Sequence, residues 1–123
     1  MVDERTTPPL LVLRLFNLLD AIRQMSPFST LSAEEEQLLG RLVLRWHEQR
    51  PFTVSDIMHE DPSGSPSTVY RRIVGLREKG LAELRADPND RRVRYIEPTD
   101  LSREYVRRMS DGLADLLPDR QSS

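Results

Sequence analysis

The chain contains no cysteine, which excludes a disulfide framework, a thiolate metal site and a thiol redox switch. Long apolar runs are also missing. The most apolar stretch, residues 10–19, is interrupted by Arg14 and Asn17, so no segment is predicted to span a membrane. Asp3 and Glu4 stand where a secretory signal would carry basic residues, and we therefore predict a cytoplasmic protein.

Groups typical of enzymes are scarce as well. The sequence has no glycine-rich phosphate loop and no serine, acid and base grouping that resembles a catalytic triad. His47 and His59 are its two histidines, and neither has a second donor at helical spacing, as a metal site on a helix would require. We predict that the protein is not an enzyme and has no catalytic residues, metal site or cofactor.

The length of 123 residues and an apolar content of 37% suit one compact domain. We expect this domain to cover residues 9–117. The polar ends, residues 1–8 and 118–123, lack hydrophobic periodicity and are expected to be flexible.

The charge is unevenly distributed along the chain. The net charge of the whole chain is −2, yet residues 65–108 carry ten arginines and one lysine against seven acids, a net charge of +4. A basic segment within an acidic chain is what a localised phosphate-binding face requires. An ordinary salt-bridged surface would give the same numbers, so charge alone leaves both interpretations open.

Four helices are predicted before residue 80. The first, residues 9–25, is apolar on more than one side, which indicates burial against the rest of the chain and against a second subunit. Ser32 and Glu35 predict a capping box that opens the second helix. Thr53 is expected to cap a short third helix, residues 59–64 a turn, and Ser65 to cap a fourth helix that stops at Gly80.

A hairpin and a last helix follow. Alternating residues predict strands at Leu81–Arg85 and Arg92–Glu97 around a turn at residues 87–90, and Thr99 is expected to cap the last helix. The fold class is therefore mainly α with a small β-hairpin. In this winged helix-turn-helix, residues 53–79 form the helix-turn-helix, residues 81–97 the wing, and residues 9–25 and 99–117 the dimerisation helices.

The fourth helix has the pattern of a recognition helix. Val69, Ile73 and Leu76 face the core, while the opposite face has no acid in its first two turns, and Gly75 is expected to allow close approach to a duplex. Arg71 is the candidate for reading a guanine edge and Val74 for meeting a thymine methyl group. The candidates for phosphate contacts are Ser65, Ser67, Thr68, Tyr70 and Arg72. A solvated amphipathic helix without a partner is the alternative.

The predicted wing carries three arginines, Arg91, Arg92 and Arg94, at one turn, where like charges repel unless an anion is near. An arginine at this position can enter the narrow minor groove of DNA. Asp90 is expected to hold one guanidinium in place through an ion pair.

Residues Ser67 to Thr99 resemble the MarR family of bacterial regulators. The similar motifs are L-x-x-K-G-L at the end of the recognition helix, D-x-x-D-R-R in the wing and the threonine before the next helix. The resemblance implies that Thr68, Tyr70 and Arg71 lie at major-groove positions, that Arg92 is the minor-groove arginine and that Asp90 steadies the wing. The chain departs from the family in its shorter length and in having one predicted helix after the wing.

The sequence thus predicts a homodimeric, sequence-specific regulator of transcription that binds double-stranded DNA. We expect a repressor of a pseudo-palindromic operator, with residues 65–75 in the major groove and the 87–94 wing in the minor groove. The family resemblance leaves room for a small-molecule effector of unknown identity. The alternatives are a winged-helix protein-interaction module and a plasmid or phage replication factor.

Overall fold

The computed structural model describes residues 7–117, which form five α-helices, one short 3-10 helix and one two-stranded hairpin. The predicted flexible tail, residues 118–123, and residues 1–6 lie outside this range. The elements are α1 (Thr7–Arg23), a 3-10 helix (Phe28–Thr30), α2 (Ala33–His47), α3 (Val54–Glu60), α4 (Pro66–Glu78), β1 (Glu83–Ala86), β2 (Arg94–Glu97) and α5 (Asp100–Leu116).

The described residues divide into two compact units. Leu31–Glu104 form the central unit, and the residues up to Thr30 together with those from Tyr105 on form the terminal unit. The boundary between them lies within α5. That residues 9–117 behave as a single domain stays a prediction.

The core of the central unit is built around α4. Val69, Ile73 and Leu76 are fully buried on one face of this helix, which packs against both α2 and α3. This confirms the predicted inward face, since apolar residues recur there at helical spacing. The other buried apolar residues of the unit are Leu38, Leu39, Leu42, Phe52, Val54, Ile57, Leu81, Ala82 and Ile96.

The predicted helix starts are confirmed by their caps. Ser32 and Glu35 exchange side-chain and backbone hydrogen bonds at 3.0 Å each. Thr53 forms a similar box with Asp56, and the Ser65 hydroxyl accepts a bond from the Thr68 amide. Each box supplies partners for amide groups that a helix leaves unpaired at its start.

The wing is shorter than predicted. The strands pair antiparallel with Glu83 opposite Glu97 and Ala86 opposite Arg94. Leu81 and Ala82 were expected in the first strand but precede it, because both are buried in the core. The second strand likewise begins at Arg94 rather than Arg92.

The hairpin is fixed to the helices by three backbone and side-chain links. The Ile96 amide donates to the Phe52 carbonyl at 3.1 Å, and Thr53 forms an isolated bridge with Tyr95. The Trp46 indole donates to the Ile96 carbonyl at 3.0 Å. The position of the wing is therefore set by the segment that leads into α3.

Two helix boundaries also differ from the prediction. α1 begins at Thr7, before the predicted start, because prolines are tolerated in the first turn of a helix. α3 continues to Glu60, so the turn expected at residues 59–64 begins only at Asp61. The Asp61 amide still donates to the Ile57 carbonyl at 3.1 Å, which extends the helical bonding pattern by one residue.

The terminal unit exposes a large part of its apolar surface. In α1, Ile22 is buried, whereas Phe16 is 58% exposed. The residues on the same face as Ile22 are half-buried, namely Leu11, Leu15, Leu18 and Leu19. The Phe28 and Tyr105 rings stack with centroids 5.0 Å apart, and Gly112 lies close against Leu18. The other exposed large apolar residues of this unit are Leu10, Val12, Leu13, Leu113 and Leu117.

Within residues 7–117, none of the helices combines the length and the apolar character needed to cross a membrane.

Two glycines provide a test of this backbone. Gly80 ends α4 with a φ of +81°, so Gly80→Ala should lower the free energy of unfolding by about 1 kcal/mol or more. Gly40 lies inside α2 with nothing within 4 Å of its added methyl group, so Gly40→Ala should raise that free energy by about 0.5–1 kcal/mol. Urea unfolding of the two variants measures both changes, and equal effects would contradict the assigned end of α4.

Candidate nucleic-acid interface

The first turn of α4 presents a row of hydroxyl groups. The Ser65 hydroxyl lies 2.9 Å from that of Thr68 and 3.3 Å from that of Ser67. Ser65 and Ser67 are exposed, and Thr68 is half-buried. Pro66 occupies the first helical turn, which contains no acid. Pro66 has no amide proton, and the Thr68 and Val69 amides donate to Ser65. The positive end of the helix dipole therefore lies beside neutral hydroxyl groups.

Tyr70 and Arg71 are the exposed long side chains that follow this turn. The Arg71 guanidinium approaches the Thr68 hydroxyl at 3.5 Å, a long and weak contact. Arg71 therefore remains free to extend toward a ligand.

Two other positions of α4 face the protein more than predicted. The Gly75 backbone lies against the Glu35 carboxylate, and an added methyl group would come within 2.3 Å of it. Gly75 therefore permits close packing of α2 on α4, and its expected role in the approach of a duplex is wrong. Val74 is half-buried, and its contact with a thymine stays a prediction.

The Glu35 side chain links the start of α2 to the end of α4. Its carboxylate accepts from the Ser32 amide at 3.0 Å and from the Lys79 ammonium at 2.5 Å. Burial alone would raise the pKa of this carboxyl, but the hydrogen bonds from Lys79 and Ser32 outweigh burial and lower it. Sequence reasoning recognised the cap but missed Lys79, because that contact joins residues 44 positions apart.

The wing arginines project from a braced turn. Asp90 accepts from the backbone amide of Arg92 at 3.0 Å and from its guanidinium at 3.1 and 3.3 Å. This is the ion pair that the sequence predicts, and the Arg92 side chain is still 90% exposed. The side chains of Arg91 and Arg94 are exposed and form no hydrogen bond or ion pair with any described residue.

A second set of contacts, which the sequence did not predict, stiffens the strands and the turn of the wing. The Tyr95 hydroxyl donates to Asp87 at 3.0 Å, and the Asn89 amide donates to the same carboxylate at 2.7 Å. Arg85 lies 4.8 Å above the Tyr95 ring and pairs with Glu97 at 2.7 Å. The Asn89 bond is local to the turn, whereas the contacts of Tyr95 and Glu97 cross the hairpin, so only the pairing of its two sides reveals them.

The wing and α4 meet at one open cleft with a volume of about 780 Å³. Tyr70 lines it from α4 and residues 91–94 line it from the wing. The structure thus brings Tyr70 together with the three wing arginines, whereas Arg71 and Arg72 do not line this cleft. The remaining lining comes from the start of α3, which sequence reasoning had not included, namely Thr53, Val54, Ser55 and Met58.

The turn before α4 contains a further group that the sequence analysis did not use. Asp61 is buried, and its carboxylate accepts from the Ser63 amide at 2.8 Å. An aspartate bonding to the backbone two residues on is a recognised turn pattern, and the D-P-S-G sequence could have indicated it. Arg72 was expected to contact phosphate, but it is half-buried and donates to the Ser63 hydroxyl at 2.9 Å.

Residues 7–117 contain no group of three His, Cys, Asp or Glu side chains placed to hold a metal ion. The His59 ring nitrogen Nδ1 lies 2.7 Å from the Ser55 carbonyl.

No protein-family model matches the chain, and no curated protein sequence does. Solved structures do. A mutant of MepR from S. aureus is 18% identical with a TM-score of 0.58, covering 99% of this chain and 89% of that one. The heme sensor protein PefR from Streptococcus agalactiae, in complex with heme, is 19% identical with a TM-score of 0.56, covering 94% and 77%.

FabT from Streptococcus pneumoniae, solved in complex with DNA, is 21% identical with a TM-score of 0.51, covering 93% of this chain and 78% of that one. These neighbours are MarR-family transcriptional regulators. The likeness shows that this chain has a MarR-like winged-helix fold, which confirms the predicted fold class.

The carboxylates of the wing make its order dependent on pH. Hydrogen bonds from Asn89 and Tyr95 lower the pKa of Asp87, and those from Arg92 lower the pKa of Asp90. A lowered pKa in the folded state adds stability that is complete above the ordinary aspartate value of about 3.9 and is lost as the pH falls through the lowered values. Amide chemical shifts of residues 87–95 should therefore stay constant from neutral pH to about pH 4 and change below it.

Asp90→Asn is the control, since it removes one of these titrations. The amides of Val69 and Ile73 report global unfolding in the same spectra. A wing transition centred above the ordinary aspartate pKa would contradict the assigned contacts.

Proposed function

We propose that this protein is a sequence-specific regulator of transcription that binds double-stranded DNA as a homodimer and acts in the cytoplasm. The observation that carries the proposal is the shared surface of α4 and the wing, where Tyr70 and residues 91–94 line one open cleft. Two structural neighbours support this role, PcaV from Streptomyces coelicolor, which is named a transcriptional regulator, and FabT, which was solved in complex with DNA.

The electrostatics of this surface suit a polyanion. The first turn of α4 has no acid, and the positive end of its helix dipole attracts phosphate. Arg91 and Arg94 carry charges that no described side chain neutralises, so a phosphate backbone gains their full interaction. Contacts of this kind fix the protein on a duplex, whereas base edges specify the sequence.

The side chains of α4 and of the wing are each assigned a contact with DNA. In this proposal α4 enters the major groove, where Arg71 reads a guanine edge and Val74 meets a thymine methyl group. Arg92 enters the minor groove. Its ion pair with Asp90 already restricts the Arg92 guanidinium, so less conformational entropy is lost on binding. The remaining contacts, to phosphate groups, are assigned to Ser65, Ser67, Thr68, Tyr70, Arg91 and Arg94.

The dimer is assigned to the terminal unit. Its exposed apolar side chains include Phe16 and Leu13 of α1 and Leu117 after α5, and exposed apolar patches mark interaction surfaces. Two subunits would present two copies of α4 to successive major grooves, about 34–36 Å apart, on a pseudo-palindromic operator. Binding there would block polymerase and repress transcription.

The proposal includes regulation by a small molecule. PefR was solved with heme, PcaV from Streptomyces coelicolor with its natural ligand, and DNA binding by BpsR of Bordetella bronchiseptica is regulated by 6-hydroxynicotinic acid. These statements concern those proteins, and no effector is assigned here.

The DNA-binding face is tested by exchanging its arginines. Arg71→Ala should relax specificity at one base pair per half-site, at a cost of about 1–3 kcal/mol of discrimination. Arg92→Ala should weaken binding to most sequences. Selection from random duplexes gives the operator, fluorescence anisotropy gives the affinities, and affinity should fall steeply between about 50 and 200 mM salt.

The matched control is Arg50→Ala, since Arg50 is 82% exposed in the same unit but outside the cleft. Unchanged DNA binding after removal of both Arg71 and Arg92 would overturn the proposal and favour a protein-interaction module. Selected sites that lie at replication origins rather than promoters would identify a replication factor.

The dimer is tested at Phe16. Phe16→Glu should convert a dimer to a monomer in sedimentation experiments, because it places a charge in the proposed apolar interface. Its thermal stability should change little beyond the loss of dimerisation, because Phe16 is exposed in the chain described here. Leu44→Glu, at the 69% exposed Leu44 of α2, is the control and should leave the mass unchanged. A monomeric wild-type protein would contradict the assignment.

A further inference from the structure

A buried carboxylate occupies the turn between α3 and α4. The side chain of Asp61 is 4% exposed although it lies in a connecting turn of the surface. Removing a charge from water is costly unless partners compensate it. The partners of Asp61 therefore show what the turn is built to hold.

Those partners come from three parts of the central unit. The Ser63 amide donates to the Asp61 carboxylate at 2.8 Å, and the Arg41 guanidinium of α2 lies 3.9 Å from it. Burial raises the pKa of Asp61, but the bonds from Ser63 and the charges of Arg41 and Arg72 outweigh burial and lower it. Asp61 is therefore charged and held between α2, its own turn and α4.

Arg72 closes this arrangement from the side of α4. Its guanidinium donates to the Ser63 hydroxyl at 2.9 Å. Gly64 lies so close that an added methyl group would be 3.2 Å from the Thr68 side chain and 3.5 Å from the Arg72 guanidinium. The turn of residues 61–64 thus packs directly on the first two turns of α4, one residue before the Ser65 cap.

We infer that Asp61 and Arg72 are positioning residues that fix the turn 61–64 and, through it, the N-terminal end of α4. Arg72 acts through Ser63 and Asp61 and does not contact phosphate, contrary to the expectation from sequence. The inference rests on the proposed function, since the groups it positions are the hydroxyls of Ser65, Ser67 and Thr68 assigned to the DNA backbone. Fixing these groups before binding reduces the ordering cost of the complex.

The sign of the effect at Asp61 separates positioning from simple electrostatics. Asp61→Asn removes a negative charge near the proposed interface, so electrostatics alone would strengthen DNA binding. Positioning predicts the opposite, a loss of about tenfold in affinity for the selected operator, the size of one charge-assisted hydrogen bond. Arg72→Gln should weaken binding to a similar extent, and the double variant should bind no more weakly than either single one.

The salt dependence separates the two roles of Arg72. A residue that neutralises a phosphate contributes about 0.9 to the slope of log affinity against log salt. Arg72→Gln should leave this slope at the wild-type value. Arg94→Gln is the control, because Arg94 is assigned to a phosphate contact, and it should reduce the slope by about 0.9. A slope reduced by about one in Arg72→Gln, or tighter binding by Asp61→Asn, would overturn the inference.

Two further measurements keep the test decisive. If Asp61→Asn does not fold, Ser63→Ala removes only the exposed hydroxyl that links Arg72 to the turn, and unchanged operator affinity in this variant would refute the inference. Hydrogen exchange of the amides of residues 63–68 in the protein without DNA should be faster in Arg72→Gln and Ser63→Ala. Wild-type protein that binds no duplex would refute the proposed function. Hydrogen-exchange rates that are the same in the variants as in the wild type would instead refute the positioning role of Asp61 and Arg72.

Discussion

The burial of one face of α4 is the constraint on which the rest of the site depends. Val69, Ile73 and Leu76 are fully buried, so the rotation of the helix about its axis is fixed by the hydrophobic effect. Once this face is inside, Ser67 and Arg71 must face outward because they lie on the opposite side of a 3.6-residue period. The same core holds Phe52 and Ile96, which sets the wing beside the outward face of α4.

Local signals made much of this arrangement predictable from sequence. Caps at Ser32, Thr53 and Ser65 and the glycine at Gly80 act within a few residues, so their patterns identify helix ends directly. The ion pair of Asp90 with Arg92 is local in the same sense. Contacts between distant segments were not predictable. Nothing near Gly75 in the sequence indicates the Glu35 carboxylate, and nothing near Arg72 indicates that Ser63 draws its guanidinium away from solvent.

Some residues of the wing contact one another and stabilise the hairpin, whereas others are exposed to solvent at its turn. Tyr95, Asp87 and Arg85 satisfy one another across the strands, which limits the motion of a short hairpin that would be marginally stable alone. Arg91 and Arg94 have no described partner. The strands of the wing are stiff and the arginines at its turn are unneutralised, so the attraction for an external anion is strongest at that turn. The net charge of −2 for the whole chain does not reveal this local excess of positive charge.

The close approach of Gly75 to Glu35 has a consequence for how the protein could be retargeted. A larger residue at position 75 would displace the Glu35 carboxylate, and changes to the inward residues of α4 would disturb the core. Ser67, Tyr70 and Arg71 are exposed and contribute no side chain to the core. Substitutions at these three positions would therefore be nearly free in stability. If these residues read DNA as proposed, a library randomised at these three positions and nowhere else would sample new operator preferences on an unaltered scaffold.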